Sequence, residues 1–361
     1  MRKHVGIFIK AGLFLSIIYV WPSCQKKDDD TKNNIPPNGW EVSTLAGSGE
    51  NGFDLIDGNG TKAKFVSPFS MTIDTNDNLY VIEINTPCIR KITPAGEVTT
   101  FVKEDKNAGY NIGWPGYLVT DGQGNFFTPN TQSYYINKLT TTASTIFAGN
   151  TVKGHNDGQG TDARFVKIMS IAVDPKGNLY LTDYDMQNHF IIRKITPAGF
   201  VSTLTINDNT GISADLPPTT APAGTYAMAF DAKENLYVVG GSAHSLIKKI
   251  DPQGNATLFV GSDTYGFKDG KGQEARCNAI GSLTFDSAGN LWFCESVNNS
   301  VRRVSPDGTV TTIAGSKFEG HVDGEALRAR FNDPYSVVID KKGAVYVLES
   351  GNRDIRKLVH N

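Results

Sequence analysis

One pattern of apolar and polar positions recurs six times along this chain. Each copy has an apolar segment that ends in an aspartate, a Gly/Asn turn, an apolar segment with an aromatic residue, a cationic segment and a Thr-rich segment. The aspartates that anchor the copies are Asp74, Asp121, Asp174, Asp231, Asp286 and Asp340. Four short β-type segments per copy, repeated at a period of about 50 residues, are typical of the blades of a β-propeller. The pattern predicts an all-β fold with six blades.

The two ends of the repeat region complement each other. The sixth copy stops after its third segment, at residues 355–361. Residues 41–47 read EVSTLAG, which matches TVTTIAG in the fourth segment of the fifth copy, at residues 309–315. We therefore expect the N-terminal strand to complete the last blade, because closure hides sheet edges that otherwise promote aggregation.

The repeated phrases carry a family resemblance. Motifs such as GNLYL, IRKITPAG and VTTIAG resemble NHL repeats over about residues 40–361. The resemblance implies a single six-bladed NHL-type propeller, a fold that commonly binds other molecules. Two copies depart from the pattern. Residues 136–144 of copy two read INKLTTTAS in place of IRKITPAG, and copy four has Gly240 and Gly241 where others carry an acid.

The N-terminus has the layout of an export signal. A basic start is followed by an apolar run at residues 11–21, too short to span a bilayer, and then by Cys24. The Ser-Cys junction resembles a bacterial lipobox, and the KKDDD tract that follows resembles the surface-export signal of Bacteroidota lipoproteins. The prediction is a signal peptide at 1–23, a lipidated Cys24 with a flexible tether at 24–39, and an outer-membrane location facing the cell exterior. A purely solvated charge run is the alternative for the tract.

Composition narrows the possible partners. The formal net charge is −2 and the basic residues are scattered, so no nucleic-acid partner is expected. The remaining cysteines, Cys88, Cys277 and Cys294, have no paired spacing and are expected to be buried free thiols. No G-x-S-x-G motif or phosphate-binding loop occurs, and we expect no cofactor.

In a propeller, the first segment of each copy lines the central channel. Because side chains alternate along a strand, two rows face the channel. The first row is Ser70, Tyr117, Ser170, Ala227, Ser282 and Ser336, and the second is Thr72, Val119, Ala172, Ala229, Thr284 and Val338. Six-bladed lactonase-like enzymes bind a divalent metal in this channel through Glu, Asn and Asp, ligands that hard cations prefer. The rows predicted here lack carboxylates, which disfavours a metal-dependent hydrolase.

A ring of polar residues ends the second segments. The six positions are Glu83, Asn130, Asp183, Gly240, Glu295 and Glu349. One interpretation is an acidic rim that binds a cationic group or metal. The favoured interpretation is structural: the acids bond turn amides or a nearby arginine, because a catalytic group rarely needs repeating in every blade.

The inter-blade loops share the motif D-G…A-[KR]-[FC]. We expect its phenylalanines to close the ends of the blades and its cations to pair with its aspartates. The alternative is a basic ring that attracts anionic ligands, which makes Arg164, Arg276 and Arg330 candidate ligand-binding residues.

Two histidines are candidate metal ligands. His155 and His321 occupy equivalent places in G-H-x-D-G, in blades three and six. Peptide-amidating lyases, six-bladed NHL relatives, hold zinc through histidines, and zinc needs about three protein ligands. Since these blades lie opposite each other, His155 and His321 are weak candidates and no metal is predicted.

Two inter-blade loops break the repeat. Residues 103–116 contain Tyr110 and Trp114, and residues 206–226 end at Tyr226. Departures from a repeat on a rigid scaffold often determine specificity, and exposed aromatic rings suit sugar or peptide faces. Divergent loops whose aromatic residues pack internally are the alternative.

These observations favour a monomeric binding platform over an enzyme. The hypothesis is a non-catalytic cell-surface lipoprotein that binds a protein, peptide or glycan through one face of the propeller. It would touch the membrane only through its lipid. The alternative is a lyase- or lactonase-type enzyme that acts at the channel mouth, possibly with a metal.

Overall fold

The computed structural model describes residues 38–49, 52, 54–105, 107, 111–113, 115–130, 132–184, 190–208, 227–241 and 245–361. Within these ranges the secondary structure is almost entirely β. Six sheets form the six blades of a propeller, and a strand from each sheet lines the axis. All described strand pairs are antiparallel except for the short parallel pair in blade 4. Among the described residues, none of the helices is long and apolar enough to cross a bilayer.

The strands follow the predicted repeat. The first, β1, is Trp40–Ala46. Blade 1 contains β2 (Gly58–Asn59), β3 (Pro68–Ile73), β4 (Leu79–Glu83), β5 (Cys88–Ile92) and β6 (Glu97–Lys103). Blade 2 contains β7 (Val119–Thr120), β8 (Phe126–Asn130), β9 (Tyr135–Leu139) and β10 (Ser144–Gly149). Blade 3 contains β11 (Gly158–Gln159), β12 (Ser170–Val173), β13 (Leu179–Tyr184), β14 (Phe190–Ile195) and β15 (Phe200–Thr203).

The remaining blades repeat this order. Blade 4 contains β16 (Asn207–Asp208), β17 (Met228–Phe230), β18 (Leu236–Gly240), β19 (Leu246–Ile250) and β20 (Asn255–Gly261). Blade 5 contains β21 (Gly270–Lys271), β22 (Ile280–Phe285), β23 (Leu291–Glu295), β24 (Ser300–Val304) and β25 (Thr309–Gly315). Blade 6 contains β26 (Gly324–Glu325), β27 (Pro334–Ile339), β28 (Val345–Glu349) and β29 (Asp354–His360). Among the described residues, single-turn 3₁₀ helices follow β2, β11 and β21, at Gly60–Lys62, Gly160–Asp162 and Gly272–Glu274.

The ring closes through β1, as the sequence predicts. β1 pairs antiparallel with β29, so that Val42 lies opposite Leu358 and Thr44 lies opposite Arg356. The N-terminal strand is therefore the fourth strand of blade 6. Its Trp40 ring packs against Trp292 of blade 5, with centroids 5.3 Å apart.

Each anchoring aspartate builds the turn between the first two strands of its blade. Asp74 accepts backbone N–H bonds from Asn76 and Asn78, and also bonds the Asn78 side-chain amide and the Tyr80 hydroxyl. Burial and the nearby Asp74 carboxylate raise the pKa of Tyr80 to about 12. The bonds from the Asn76 and Asn78 N–H groups to the Asp74 carboxylate form an Asx turn, in which a side chain takes the place of backbone hydrogen-bond partners. We call the end of the ring that carries the six anchoring aspartates the turn face.

The opposite end carries the inter-blade loops and the loops between second and third strands, and we call it the loop face. The core lies between adjacent blades. Phe65, Phe165 and Phe331 of the inter-blade motif are buried there, which confirms that they close the blade ends. Cys88, Cys277 and Cys294 are buried free thiols, as expected, and burial raises the pKa of Cys88 and of Cys277 to about 12.

Candidate functional site

The central channel is lined by the residues that period-two alternation predicts. All twelve members of the two predicted rows border a cavity of about 300 Å³ on the axis. The rows combine serine and threonine hydroxyls with alanine, valine and a single tyrosine, so the walls carry no formal charge. Residues of the other parity, such as Met71 and Leu283, border the same cavity, so the structure confirms that the six first segments surround the channel.

Serine hydroxyls of the first row join neighbouring blades. The Ser70 Oγ accepts a 3.1 Å bond from the Leu118 N–H of blade 2. The Ser282 and Ser336 Oγ atoms likewise accept the Val337 and Met71 N–H groups, at 2.7 and 3.2 Å. The last bond crosses from blade 6 to blade 1. These hydroxyls therefore stabilise the ring of inner strands as well as line the channel.

Three aromatic residues lie at the loop-face end of the channel. The Phe69 ring packs against Tyr117 and Tyr335, at centroid distances of 5.5 and 4.9 Å. The Tyr117 and Tyr335 hydroxyl oxygens are 3.5 Å apart. Burial raises the pKa of Tyr335 to about 12, so this phenol stays neutral and can donate a hydrogen bond. The group offers an apolar, uncharged surface to a molecule entering the channel.

The acids that end the second strands are buried and tied to arginines. In blade 5, Glu295 is fully buried and its Oε2 lies 3.1 Å from Arg302 Nη1, while its Oε1 accepts the Asn278 N–H at 2.8 Å. The other Arg302 nitrogen reaches Asp269 of the inter-blade motif at 2.7 Å. The same arrangement recurs around Arg90, Arg193 and Arg356.

These arginine ties confirm the structural interpretation of the acidic ring. Burial raises the pKa of Glu83, Asp183 and Glu295, and the facing arginine and turn amides only partly oppose it. Each guanidinium also donates to two loop carbonyls, as Arg302 does to Arg276 and Lys268 at 3.0 and 2.9 Å. The buried acids and their arginines thus hold the loops in place. The acids that end the second strands offer no exposed carboxylate to a ligand.

The expected pairing of motif cations with motif aspartates is wrong. Asp157 bonds Arg193 of the third strand at 2.9 Å, and its carboxylate also accepts the Thr203 N–H and hydroxyl. Arg164 instead donates to the carbonyls of Thr161 and Ala163, at 2.6 and 2.8 Å. Arg193, which lies on the third strand, pairs with Asp157 because its guanidinium is buried beside this carboxylate. Arg276 makes the same carbonyl bonds as Arg164, to Gln273 and Ala275.

Blades 2 and 4 lack the arginine tie. In blade 2, Asn130 donates to the Tyr135 hydroxyl and Asn137 donates to the Ile112 carbonyl, both at 2.9 Å. In blade 4, Gly240 replaces the acid and Lys248 pairs with Asp208. A cavity of about 310 Å³ borders Gly240 and Lys248. The loop face therefore differs at the two blades whose sequences depart from the repeat.

Comparison with known proteins identifies the family. Residues 67–322 match the family described as SMP-30/Gluconolactonase/LRE-like region, which is more than half of the chain. The chain belongs to this family. The predicted resemblance to NHL-type six-bladed propellers is confirmed with it.

Other proteins are similar to this chain in sequence or in fold. Teneurin-3 of Danio rerio is 25% identical over 373 residues, which cover 89% of this chain and 13% of Teneurin-3. The chain thus spans about an eighth of that relative's length. A Bacteroides thetaiotaomicron protein of unknown function is similar with a TM-score of 0.67 and 23% identity, covering 89% of this chain and 76% of the other. An auxiliary nutrient binding protein from Bacteroides ovatus gives a TM-score of 0.66 and 20% identity, with the same coverage. At these identities the structural likeness concerns the fold alone.

The SMP-30/gluconolactonase family raises the question of a metal in the channel. The cavity is lined by hydroxyl, aliphatic, aromatic and methionine side chains, without a carboxylate or histidine among them. Within the described ranges, no group of three or more His, Cys, Asp or Glu side chains is placed to hold a metal. The residues of this channel therefore do not fit the carboxylate-ligated metal of lactonase-like propellers, and no reaction step is assigned to one.

The sequence candidates fall into two groups. Tyr110, Trp114 and Tyr226 lie outside the described residues, as do Cys24, the predicted signal and the predicted tether up to residue 37. Arg164, Arg276 and Arg330 lie half-buried on the inter-blade loops. His155 is exposed, whereas His321 forms an ion pair with the buried Asp354, with Nε2 2.8 Å from Oδ2.

One exposed apolar surface was not predicted. Tyr265, Val297 and Phe318, each more than half exposed, lie on three adjacent loops of the loop face. Asn298 donates to the Gly266 carbonyl at 2.9 Å and Asn299 donates to the Lys317 carbonyl at 3.4 Å, which joins the loops. The candidate Arg330 stacks on Phe318, with its guanidinium carbon 5.7 Å from the ring centroid. We call Tyr265, Val297 and Phe318 the blade 5 patch. Exposed side chains at different loop positions leave no periodic signal, so the repeat pattern could not identify it.

Proposed function

We propose that this protein is a non-catalytic binding protein of the bacterial outer surface. It is exported, anchored by a lipid on Cys24, and binds a glycan, peptide or protein through the loop face of the propeller. The proposed form is a monomer that contacts the membrane through its lipid alone.

The observation that carries the proposal is the structural use of the repeated acids. Glu83, Asp183, Glu295 and Glu349 are all buried, and each is bonded to an arginine. A general acid or base must reach a proton of the substrate, and a carboxylate enclosed in this way does not. The uncharged channel points the same way. Beside the half-exposed aspartates of the inter-blade motif, the loop face offers apolar and aromatic contact, which suits binding.

The named neighbour supports the same class of function. The Bacteroides ovatus protein of similar fold is an auxiliary nutrient binding protein, and a role of that kind fits a lipoprotein on the cell envelope. Fold similarity alone does not set the ligand, since propellers serve many functions. The ligand therefore has to be found by experiment.

The second candidate is a lyase or lactonase that acts at the channel mouth. The family description includes gluconolactonases, which favours it. This function requires a group that stabilises developing charge, most simply a bound metal. Stoichiometric metal in the purified protein would therefore favour the enzyme over the binding protein.

The test compares two variants of the full-length protein purified in detergent. A glycan and peptide array first supplies a binding molecule, and its dissociation constant is then measured for Trp114→Ala and Glu295→Gln. We expect Trp114→Ala to weaken binding about fivefold or more, since loss of a stacking aromatic ring typically removes about 1–3 kcal/mol. We expect Glu295→Gln to leave affinity unchanged while it lowers the melting temperature.

Tyr265→Ala is the matched control on the loop face. If Tyr265→Ala weakens binding and Trp114→Ala does not, the ligand lies on the blade 5 patch and the predicted site is wrong. Loss of binding in a Glu295→Gln protein that melts normally would instead place the ligand at the acidic ring. Turnover of an array ligand by the metal-loaded protein would overturn the binding function itself.

A further inference from the structure

The seam where the ring closes carries a cluster of charged groups that differs from the matching sites of the other described blades. Asp354 begins β29 and lies directly opposite Glu349 of β28. Both residues are fully buried. The matching position is Ser300 in blade 5, whose hydroxyl donates to Glu295 at 2.9 Å, and it is the thiol of Cys88 in blade 1. Blade 6 therefore places two carboxyl groups together where blades 1, 3 and 5 place one.

A histidine faces this carboxyl pair. The Nε2 of His321 lies 2.8 Å from Asp354 Oδ2, and the His321 side chain is 43% exposed. Blade 3 has His155 at the equivalent loop position, but Ile191 lies opposite its Asp183. The His321 imidazole thus lies between solvent and the buried Asp354–Glu349 pair of blade 6. Blade 3 has no carboxylate at the position that corresponds to Asp354.

The same cluster holds the N-terminal strand. Thr44 of β1 lies 3.1 Å from His321 Nε2 through its hydroxyl, and it donates its N–H to Asp323 at 3.0 Å. Asp323 in turn pairs with Arg356, which also bonds Glu349 at 2.8 Å. Because β1 comes from the opposite end of the chain, these bonds join the first strand to the last.

The charges balance in only one protonation state. The charged or titratable groups facing the cluster are His321 and Asp323 on the loop before β26, Glu349 on β28, Asp354 and Arg356 on β29, and the thiol of Cys294 on β23. With His321 protonated and Glu349 neutral, two cations face two carboxylates. Loss of the first proton leaves an excess negative charge, and loss of the second leaves two, in a site where burial makes uncompensated charge costly.

We propose that closure of the propeller is controlled by protons. The Thr44–His321–Asp354–Glu349 cluster is a latch that holds β1 on β29 in acidic surroundings and weakens as the pH rises. This property is independent of the ligand and extends beyond the proposed binding function.

The direction of the pH dependence follows from the pKa shifts of His321 and Glu349. The bond to Asp354 raises the pKa of His321, and burial together with the Asp354 charge raises the pKa of Glu349 well above its ordinary value. The folded state therefore holds protons that the unfolded state releases. The Glu349 contribution is complete below about pH 4.3 and that of His321 below about pH 6.5, the ordinary pKa values of the two groups. Each is lost as the pH rises through the higher folded pKa.

Hydrogen–deuterium exchange tests the latch within one molecule. The peptide that contains β1 is compared with the peptide that contains β25, its counterpart in blade 5, from pH 5.5 to 8.5. The ratio of the two exchange rates cancels the common effect of pH on amide chemistry. We expect β1 to lose protection relative to β25 as the pH rises, by about tenfold for each unit by which folding raises a pKa in that range. A ratio independent of pH in the wild-type protein overturns the proposal.

Two variants and a control assign the effect. Asp354→Ser, which copies blade 5, should flatten the pH dependence of the ratio, and His321→Gln should reduce it, because Glu349 still titrates in that variant. His155→Gln should retain the wild-type dependence. If His321→Gln retains it as well, the latch does not act through this histidine and the proposal is wrong, whatever the ligand of the protein proves to be.

Discussion

Arg302 gives the sharpest test of the arginine ties. Its side chain is fully buried and its two terminal nitrogens bond Glu295, Asp269 and two backbone carbonyls. Arg302→Met keeps a side chain of similar length but leaves Glu295 as a buried acid without its cation. Removing one partner of a buried ion pair typically costs about 3–5 kcal/mol, because the other partner stays uncompensated. We expect a loss of this size in the free energy of unfolding.

The neighbouring residue supplies a matched control. Arg303 lies on the other face of β24, where its guanidinium carbon is 5.7 Å from the Trp292 ring centroid. Arg303→Met removes the same charge from the same strand and should cost about 1 kcal/mol or less, the usual size of a partly exposed cation–π contact. The two variants therefore separate burial from net charge.

A double variant tests the cause of the loss. Glu295→Met combined with Arg302→Met removes the whole pair, and apolar replacement of buried ion pairs is often close to neutral. It should be more stable than Arg302→Met alone. The assay is urea unfolding at pH 7, followed by tryptophan fluorescence and circular dichroism to check that one transition is observed. Equal losses in Arg302→Met and Arg303→Met would refute the tie, as would a double variant less stable than Arg302→Met.

Two further predictions concern the N-terminal part of the chain. Cys24→Ala should abolish lipid labelling and move the protein from the detergent phase to the aqueous phase, and unchanged partitioning would contradict the lipoprotein prediction. Deletion of Trp40–Ala46 should lower the melting temperature of the whole propeller, because blade 6 then exposes β29 as an unpaired edge. An unchanged midpoint in calorimetry would indicate that the ring does not depend on β1.

The sequence predicted those features whose signals are local. Asp74 and Asn78 are four residues apart and form one turn, so the first turn of each blade can be recognised from a short stretch of sequence. Alternation along a strand likewise placed Ser70 and Thr72 in the channel. Closure was predicted because β1 and β25 carry the same motif.

The partners of the arginines required tertiary structure. Arg302 and Asp269 are 33 residues apart, and Thr44 and Asp323 are 279 residues apart. Spacing in the motif favoured Arg164 as the partner of Asp157, but depth of burial gave that place to Arg193. The His321–Asp354 contact also depends on which strands become neighbours when the ring closes, and a single repeat does not contain that information.

The direction of β1 determines at which face the chain enters the propeller. Trp40 lies opposite His360, at the end of the last strand, whereas Thr44 lies opposite Arg356, close to the loop face. The chain therefore enters the ring from the turn face. The first strand of the chain and the aromatic end of the channel therefore meet the propeller from opposite sides: β1 starts on the turn face, while Phe69, Tyr117 and Tyr335 lie at the loop face. A molecule that enters the channel from the loop face does not meet the start of β1.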